Sequence, residues 1–137
     1  MRLPIKVIFD SNFLAIPGEF RIDIFEEVEK LLDTRIDGII LSPVLDELEK
    51  MSRSKSVKKA KMAMLALDFA KKLRNVRVTL EQNEEVDNLI LRTAKEMRCP
   101  VATNDKKLKR KLRDIKLPVI YLRQRSRIVI EGVIECQ

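Results

Sequence analysis

The sequence of 137 residues contains no histidine and no tryptophan, and it has only two cysteines. Without histidine, Ser-His-Asp and Cys-His nucleophile systems, imidazole-bound zinc and acid–base catalysis by imidazole are all excluded. Cys99 and Cys136 have no metal-binding spacing and are too few for a disulfide framework, so we expect reduced thiols. Any hydrolytic chemistry must therefore use carboxylates, lysine, hydroxyl groups or a bound hard cation.

Long apolar runs are also missing, since none approaches the roughly 20 residues of a membrane span. The first residues, MRLPIKVIFD, lead into a predicted strand without the pattern of a signal peptide. A composition of 45% hydrophobic and 36% charged residues indicates a folded chain, and its length suits one domain over residues 1–137. We therefore expect a cytoplasmic protein that does not bind a membrane.

Charge is unevenly distributed along the chain. Residues 1–49 contain 5 basic and 11 acidic side chains, whereas residues 50–137 contain 23 basic and 10 acidic ones. Such a basic region favours binding to a polyanion such as nucleic acid. The alternative is a solvated, lysine-rich surface of the kind found in heat-adapted proteins.

Two stretches share a pattern in which a buried strand ends on polar residues. KVIFDSN is an apolar run that stops at Asp10, and CPVATND stops at Thr103, Asn104 and Asp105. A short continuous apolar run is typical of a strand buried on both faces of a parallel sheet. Open α/β sheets bind ligands at the carboxyl ends of their strands. The two aspartates are therefore expected at the ligand-binding edge of one sheet.

Strand and helix patterns alternate between and after these stretches, which predicts a parallel sheet covered by helices. Asp37-Gly38 is interpreted as a turn before a strand, and Ser42 as the cap of a helix that Pro43 opens. The helix that ends near Leu73 is apolar on nearly all sides, which predicts packing on several sides or against a second subunit. The predicted helices are 20–32, 43–51, about 62–73 after a basic stretch at 50–61 that is predicted to be a loop, and 84–97. The predicted strands are 39–41, 76–78, 118–122 and an edge strand or hairpin over 127–135.

Two further acids border the apolar faces of their helices. Glu47 lies on the edge of an apolar stripe, where it would serve a site or extend to solvent or a lysine, and Asp46 points to water. Asp87 borders the buried face of the helix 84–97, whereas Glu84 and Glu85 are explained by the helix dipole alone. Asp105 has a second interpretation as a helix cap.

Right-handed crossovers would bring Asp10, Glu47, Asp87 and Asp105 to one edge of the sheet. Four carboxylates in one crevice would repel unless cations held them, and oxygen-only ligation selects Mg²⁺ or Mn²⁺. Such ions activate water and stabilise the leaving oxygen of a phosphodiester. Nearby polar side chains would either orient these ligands and contact phosphate or serve turns and caps, namely Ser11, Asn12, Thr103 and Asn104.

Several motifs in this order resemble the PIN-domain ribonucleases: FDSNFL at 9–14, VLDELEK at 44–50, VDNLIL at 86–91 and ATNDKKLKRKL at 102–112. FRIDIFEEVEKLL at 20–32 and VIYLRQRSRIVIEG at 119–132 are similar to one branch of that family. This branch contains the eukaryotic small-subunit ribosomal RNA processing nuclease and its archaeal relatives. The resemblance covers essentially the whole chain.

The resemblance implies a three-layer α/β/α sandwich and divalent-metal-dependent cleavage of structured RNA, with ribosomal precursor as the expected substrate. It assigns the acidic positions to Asp10, Glu47, Asp87 and Asp105, and the polar pair beside the last acid to Thr103 and Asn104. The cysteine-rich insertion of the eukaryotic members is missing, so no zinc is expected. The lack of bacterial or eukaryotic extensions suggests an archaeal protein.

Two other functions stay open from the sequence: a toxin-type PIN ribonuclease of a toxin–antitoxin pair, and an RNA-binding ribosome assembly factor that cuts nothing. A homodimer is a further possibility. For either nuclease we expect phosphate contacts from the basic residues beside and after Asp105, which are Lys106, Lys107, Lys109, Arg110, Lys111, Arg113, Arg123, Arg125 and Arg127.

Overall fold

The computed structural model describes residues 3–16, 23–124 and 126–134. One six-stranded sheet has the order β3-β2-β1-β4-β5-β6. Its strands are β1 (Ile5–Phe9), β2 (Ile36–Leu41), β3 (Arg74–Val76), β4 (Val101–Ala102), β5 (Val119–Arg123) and β6 (Arg127–Glu131). The described helices are α1 (Ser11–Leu14), α2 (Ile24–Leu32), α3 (Ser42–Met51), α4 (Val57–Ala70), α5 (Val86–Met97) and α6 (Lys106–Asp114).

All strand pairs are parallel except the β5–β6 hairpin, which is antiparallel. The chain moves outward from β1 through β2 to β3, and then crosses back to build β4 and β5 on the other side of β1. Because crossovers are right-handed, α1–α4 lie on one face of the sheet and α5 and α6 on the other. The predicted three-layer α/β/α sandwich is confirmed, and its strand order reverses between β1 and β4.

The centre of the core is β1, in which Val7, Ile8 and Phe9 are fully buried. Strands covered on both faces have continuous apolar sequences, and this explains why KVIF does not alternate. The helices complete the layers, with α1, α3 and α4 packed together on one face and α5 packed on α6 on the other. The ends of β1 and β4 are held side by side in this frame, since the Asp10 N–H donates to the Ala102 carbonyl at 2.9 Å.

The predicted turn at Asp37-Gly38 is wrong, because both residues lie inside β2. Gly38 is needed there for space, since a Cβ at this position would lie 2.6 Å from Leu73 Cδ2. Asp37 is accommodated because Arg74 of the adjacent strand donates to both of its carboxylate oxygens, at 2.7 and 3.2 Å. Asp37 and Gly38 are residue types common in turns, but the ion pair with Arg74 and the packing against Leu73 place them in a strand.

Ser42 is not the cap of α3, and this prediction is also wrong. It is the first residue of the helix, whose N-cap Leu41 makes no side-chain hydrogen bond. The Ser42 hydroxyl instead donates to the Val78 carbonyl at 3.0 Å and accepts from the Val78 N–H at 3.1 Å. The predicted strand 76–78 lies earlier, at Arg74–Val76, so Val78 is left outside the sheet and its backbone groups are satisfied by Ser42.

Of the edge strand or hairpin predicted over 127–135, the structure shows an edge strand, β6, which pairs antiparallel with β5, and Glu135 lies outside the described residues. Helix α4 begins at Val57, inside the stretch predicted to be a loop. Helix α4 buries only one side, at Ala63, Ala66, Phe69 and Ala70, so the prediction of packing on several sides is not met within the chain. Among the described residues no helix is both long and apolar enough to cross a membrane.

Candidate active site

Asp10 follows the last residue of β1 and is 6% exposed. Its Oδ1 accepts from the Ser11 N–H at 2.8 Å, and its Oδ2 accepts from the Thr103 hydroxyl at 2.8 Å. The position is the predicted one, at the point where the strand order reverses, and crevices at such points are where open α/β sheets bind ligands. Burying an ionised carboxylate costs free energy unless it pairs with a cation or is protonated, so Asp10 is a candidate for binding a cation.

Thr103 and the two asparagines connect the ends of three strands. The Thr103 hydroxyl donates to Asp10 and accepts from the Asp105 N–H at 3.1 Å. The Asn12 side-chain oxygen accepts from the Asn104 N–H at 3.0 Å, and the Asn104 side-chain oxygen accepts from the Leu122 N–H at 2.8 Å. The predicted turn and cap chemistry of these residues is therefore present, and through Thr103 it also orients Asp10.

Asp105 is the N-cap of α6, as the second interpretation of this residue predicted. One oxygen, Oδ1, accepts from the N–H groups of Lys107 at 2.8 Å and Leu108 at 3.3 Å. Capping and a ligand role are compatible, because the cap uses Oδ1 alone. The charge of Asp105 also acts on its neighbours, since it raises the pKa of both Asp10 and Asp87.

The pKa of Asp10 is raised to about 6, and burial is the largest cause. Hydrogen bonds from Thr103 and Ser11 lower this pKa, and repulsion by Asp87 and Asp105 raises it. The pKa of Asp87, in the first turn of α5, is raised by burial and by Asp105. Three carboxylates from separate elements thus act on one another, and a cation would relieve the repulsion.

Glu47 is placed differently. It is exposed on α3, and the charges that raise the pKa of Asp10 come from Asp87 and Asp105. Across the described ranges, no three acidic or cysteine side chains are already arranged to hold a metal ion. The structure therefore brings Asp10, Asp87 and Asp105 into electrostatic contact without Glu47, whose predicted role stays a prediction.

The donor set nevertheless fits a hard divalent cation. Asp10 offers a buried carboxylate at the reversal of the sheet, and the two acids that repel it offer only oxygen atoms. Hard cations such as Mg²⁺ and Mn²⁺ select this chemistry. The residues suited to hold the ion directly are Asp10, Asp87 and Asp105, and Thr103 orients the first of them.

Basic side chains of α6 border the acids. Lys107 and Lys111 lower the pKa of Asp87, and Lys111 Nζ donates to the Asn88 side-chain oxygen at 3.0 Å. Lys106 and Arg110 are exposed on the outer side of the same helix. The cations predicted to contact phosphate thus begin immediately beside Asp105. Arg123 and Arg127 are exposed at the hairpin, whereas Arg125 lies outside the described residues.

Besides Lys111, two more of the residues predicted to contact RNA have partners within the chain. Arg113 Nε lies 2.7 Å from Glu131 Oε2, and Lys109 Nζ lies 4.1 Å from the centre of the Tyr121 ring. The Tyr121 hydroxyl in turn donates to Glu131 at 2.8 Å. This cluster fixes α6 against the hairpin. Tyr121 and Glu131 therefore position the basic helix, a role that was not predicted from the sequence. The one sequence signal was that Tyr121 is the only tyrosine.

The predicted role of Glu84 as an acid of the first helical turn is wrong. It precedes α5, whose N-cap is Glu85, so the helix dipole does not explain it. Arg92 donates to both Glu84 oxygens, at 2.9 and 3.0 Å, and also to the Thr79 carbonyl at 3.1 Å. The Arg92 hydrogen bond lowers the pKa of Glu84 to about 2. This ion pair holds the loop that leads into the first turn of α5, where Asp87 lies.

The chain thus has a mostly parallel sheet with acids at the point where its strand order reverses. A family profile described as "PIN like domain" matches residues 7–125, so the chain belongs to this family. It is similar to Ribonuclease VapC4 of Methanocaldococcus jannaschii, with 37% identity over 130 residues that cover 94% of this chain and 98% of the relative. Ribonuclease VapC9 of Archaeoglobus fulgidus is 30% identical over 124 residues, which cover 90% of this chain and 87% of the relative.

The fold is also similar to a solved structure titled as the PIN domain endonuclease Utp24. The TM-score is 0.79 at 28% sequence identity, and the match covers 98% of this chain and 96% of the other. Relatives in sequence and structure are therefore named as ribonucleases and as an endonuclease, and they align with this chain over almost its whole length.

Proposed function

We propose that this chain is an endoribonuclease that depends on a divalent cation. The observation that carries the proposal is Asp10: a buried carboxylate with a pKa near 6, oriented by Thr103 and repelled by Asp87 and Asp105 at the reversal of the sheet. Natural chains keep such an unfavourable arrangement where it serves a function. The two relatives called ribonucleases support the reaction class.

Each group has a distinct role in this proposal. Asp10, Asp87 and Asp105 would hold Mg²⁺ or Mn²⁺, and Glu47 is the fourth acid that the sequence predicts for the site. The ion supplies polarisation of the phosphodiester, activation of the attacking water and stabilisation of the leaving oxygen. Thr103 fixes the Asp10 carboxylate, and Ser11, Asn12 and Asn104 hold the strand ends around it. Lys107 and Lys111 neutralise phosphate beside Asp87.

The substrate we propose is structured RNA, with ribosomal precursor first. Support comes from the match to the Utp24 structure over 98% of the chain. The resemblance of VIYLRQRSRIVIEG at 119–132 to the C-terminal sequence of that branch also supports it. A toxin-type ribonuclease is the second candidate, and the names of the two VapC relatives favour it. The cytoplasmic and archaeal assignments rest on the sequence alone and stay predictions.

Mapping of cleavage products tests the reaction. The purified protein is incubated with precursor ribosomal RNA, and separately with transfer and messenger RNA, in Mn²⁺ or in chelator. We expect cleavage only with the cation, leaving 5′-phosphate and 3′-hydroxyl ends, because water attacks in line at the phosphorus. Cyclic phosphate ends or full activity in chelator would contradict the mechanism, and preferred cleavage of transfer or messenger RNA would favour the toxin-type candidate. Binding without cleavage of any RNA would indicate an assembly factor.

The basic helix α6 gives a separate prediction. Replacing Lys106 and Arg110 with alanine should weaken RNA binding and reduce the slope of log affinity against log salt by about 0.7–0.9 for each phosphate that the variant no longer neutralises. The matched control replaces Lys58 and Lys59 of α4, which are exposed on the other side of the sheet. Equal effects of both pairs on the salt slope, measured by fluorescence anisotropy, would show that α6 is not the RNA-binding surface.

A further inference from the structure

The start of helix α5 is held without an ordinary side-chain cap. In the described part of the chain, its N-cap residue Glu85 makes no side-chain hydrogen bond to the first turn. The N–H groups of a first turn have no partners within the helix, so an uncapped start frays easily. Asp87, one of the acids proposed to hold the cation, lies in this turn. Its position therefore depends on the other contacts that hold the beginning of the helix.

Arg92 supplies such a contact from further along α5. Side chains of a helix lean toward its N-terminus, so Arg92 reaches back to the residues that precede the helix. Its Nε donates to Glu84 Oε2 at 3.0 Å, and its Nη2 donates to Glu84 Oε1 at 2.9 Å. Two parallel hydrogen bonds of this kind fix direction as well as distance. The Glu84 side chain is 11% exposed, so the pair is screened less than one on the open surface.

The same guanidinium also holds the loop between β3 and α5. Arg92 Nη2 donates to the Thr79 carbonyl at 3.1 Å. The preceding residue, Val78, is bound through both of its backbone groups by the hydroxyl of Ser42, the first residue of α3. A continuous path of hydrogen bonds and one peptide unit therefore connects the start of α3 to the residues before α5. The two helices that carry the predicted acids Glu47 and Asp87 are linked by this path.

We propose that Arg92 is a positioning residue of the cation site. Through Glu84 and Thr79 it fixes the segment that leads into α5 and keeps the first turn helical, and this holds the Asp87 carboxylate where it can bind the cation. Residues that orient metal ligands without touching the metal contribute strongly to its affinity. The inference rests on the proposed function, because it gives Arg92 a part in holding the cation that the nuclease requires.

Mn²⁺ affinity tests this role, with free Mn²⁺ measured by electron paramagnetic resonance. Arg92→Gln removes the charge and the paired contact, so it should weaken Mn²⁺ binding at least about tenfold. In an Asp87→Asn background, which already lacks the carboxylate, the same change should weaken binding less than about twofold, because Arg92 acts through Asp87. Glu84→Ala should resemble Arg92→Gln, and the double variant should bind Mn²⁺ nearly as either single variant does.

Arg74→Gln is the matched control. Arg74 also donates to both oxygens of one carboxylate, that of Asp37, but it joins β3 to β2 within the sheet. Its loss should leave Mn²⁺ affinity within about twofold of the parent, although a similar ion pair is removed. Thermal unfolding of both variants checks that each is folded, and a loss of stability without a loss of Mn²⁺ affinity is what a purely structural ion pair would give.

Amide hydrogen exchange in chelator measures the first turn of α5 without any cation. The Leu89 N–H donates to the Glu85 carbonyl at 3.1 Å, and it should exchange at least about tenfold faster in Arg92→Gln than in the parent or in Arg74→Gln. The inference is overturned if this rate does not change. It is also overturned if Arg92→Gln binds Mn²⁺ as the parent does, or weakens binding equally with and without the Asp87 carboxylate. A parent that binds no Mn²⁺ would be a different result, since the proposed function would then fail and this inference with it.

Discussion

Asp10→Asn should abolish RNA cleavage and, in the absence of cations, make the protein more stable at neutral pH. The loss of activity is expected to be at least about a thousandfold, which corresponds to about 4 kcal/mol of transition-state stabilisation. Asparagine keeps the shape of the side chain but removes the charge that attracts the cation. The variant should be more stable because it also removes a negative charge that burial and the neighbouring acids disfavour in the folded state.

The direction of the effect follows from the pKa of Asp10, which the fold raises from 3.8 to about 6. The folded state therefore favours the protonated carboxyl. This contribution to the free energy of unfolding is fully present below about pH 3.8 and is lost as pH rises through about 6. The loss amounts to roughly 3 kcal/mol at neutral pH. Since asparagine does not ionise, the variant escapes the loss.

The hydrogen-bond partners of Asp10 can also be satisfied by asparagine. The asparagine oxygen can accept from the Ser11 N–H as Asp10 does. The Thr103 hydroxyl, which now donates to Asp10, can rotate and accept from the new amide group. Asp10→Ala is the matched control, because it also removes the charge but leaves both partners unpaired, and it should be less stable than Asp10→Asn by about 1–3 kcal/mol.

The measurement is thermal unfolding in chelator at pH 4.5 and pH 7.5, and again with Mn²⁺. Asp10→Asn should unfold several degrees above the parent at pH 7.5, and the difference should fall to about a third of that at pH 4.5. Mn²⁺ should stabilise the parent far more than the variant, because it binds the folded site. A variant that unfolds below the parent at pH 7.5, and gains as much from Mn²⁺, would show that Asp10 belongs to no shared acidic site.

The central strands could be predicted because their signals are local. Val7, Ile8 and Phe9 form a continuous apolar run, and they are fully buried, as expected for a strand covered on both faces. The positions of Asp10 and Asp105 at one edge followed from crossover handedness, a rule that needs no knowledge of side-chain packing. The sequence therefore predicted which strand ends meet, and the cap at Asp105, from patterns within a few residues.

The errors share a different cause, since each depends on a partner that lies outside the few residues that determine local propensity. Gly38 lies in a strand because Leu73 occupies the space of a side chain, and Ser42 fails to cap because Val78 needs its hydroxyl. Glu84 is held by Arg92. Local propensity favours a turn, a cap and a dipole contact at these positions, and tertiary contacts override all three.

For the site, spacing could place acids near the edge but could not measure the repulsion among them. Asp87 and Asp105 act on Asp10, whereas Glu47 is exposed, although helical periodicity gave Glu47 and Asp87 similar positions. In the fold α3 packs with α1 and α4, whereas α5 packs with α6, and periodicity within a helix does not determine such neighbours.

Thr103→Val should destabilise the protein and move cation binding to higher pH. Valine has almost the same shape, but it lacks the hydroxyl that donates to Asp10 at 2.8 Å and accepts from the Asp105 N–H at 3.1 Å. Thr103 is fully buried, so water is not expected to replace these bonds. Two unpaired groups cost about 1–3 kcal/mol each, which gives a loss of roughly 2–4 kcal/mol after relaxation.

The shift in pH dependence separates this role from ordinary packing. The Thr103 hydrogen bond lowers the pKa of Asp10, so its removal should raise that pKa above about 6. Cation binding needs the ionised carboxylate, so the midpoint of Mn²⁺ affinity against pH, measured by calorimetry, should rise in Thr103→Val. Thr103→Ser is the matched control: it keeps the hydroxyl, loses about 1 kcal/mol with the methyl group, and should keep the parent midpoint. If both variants lose the same stability and neither midpoint moves, the hydroxyl does not orient Asp10, and the network at the strand ends has a purely structural role.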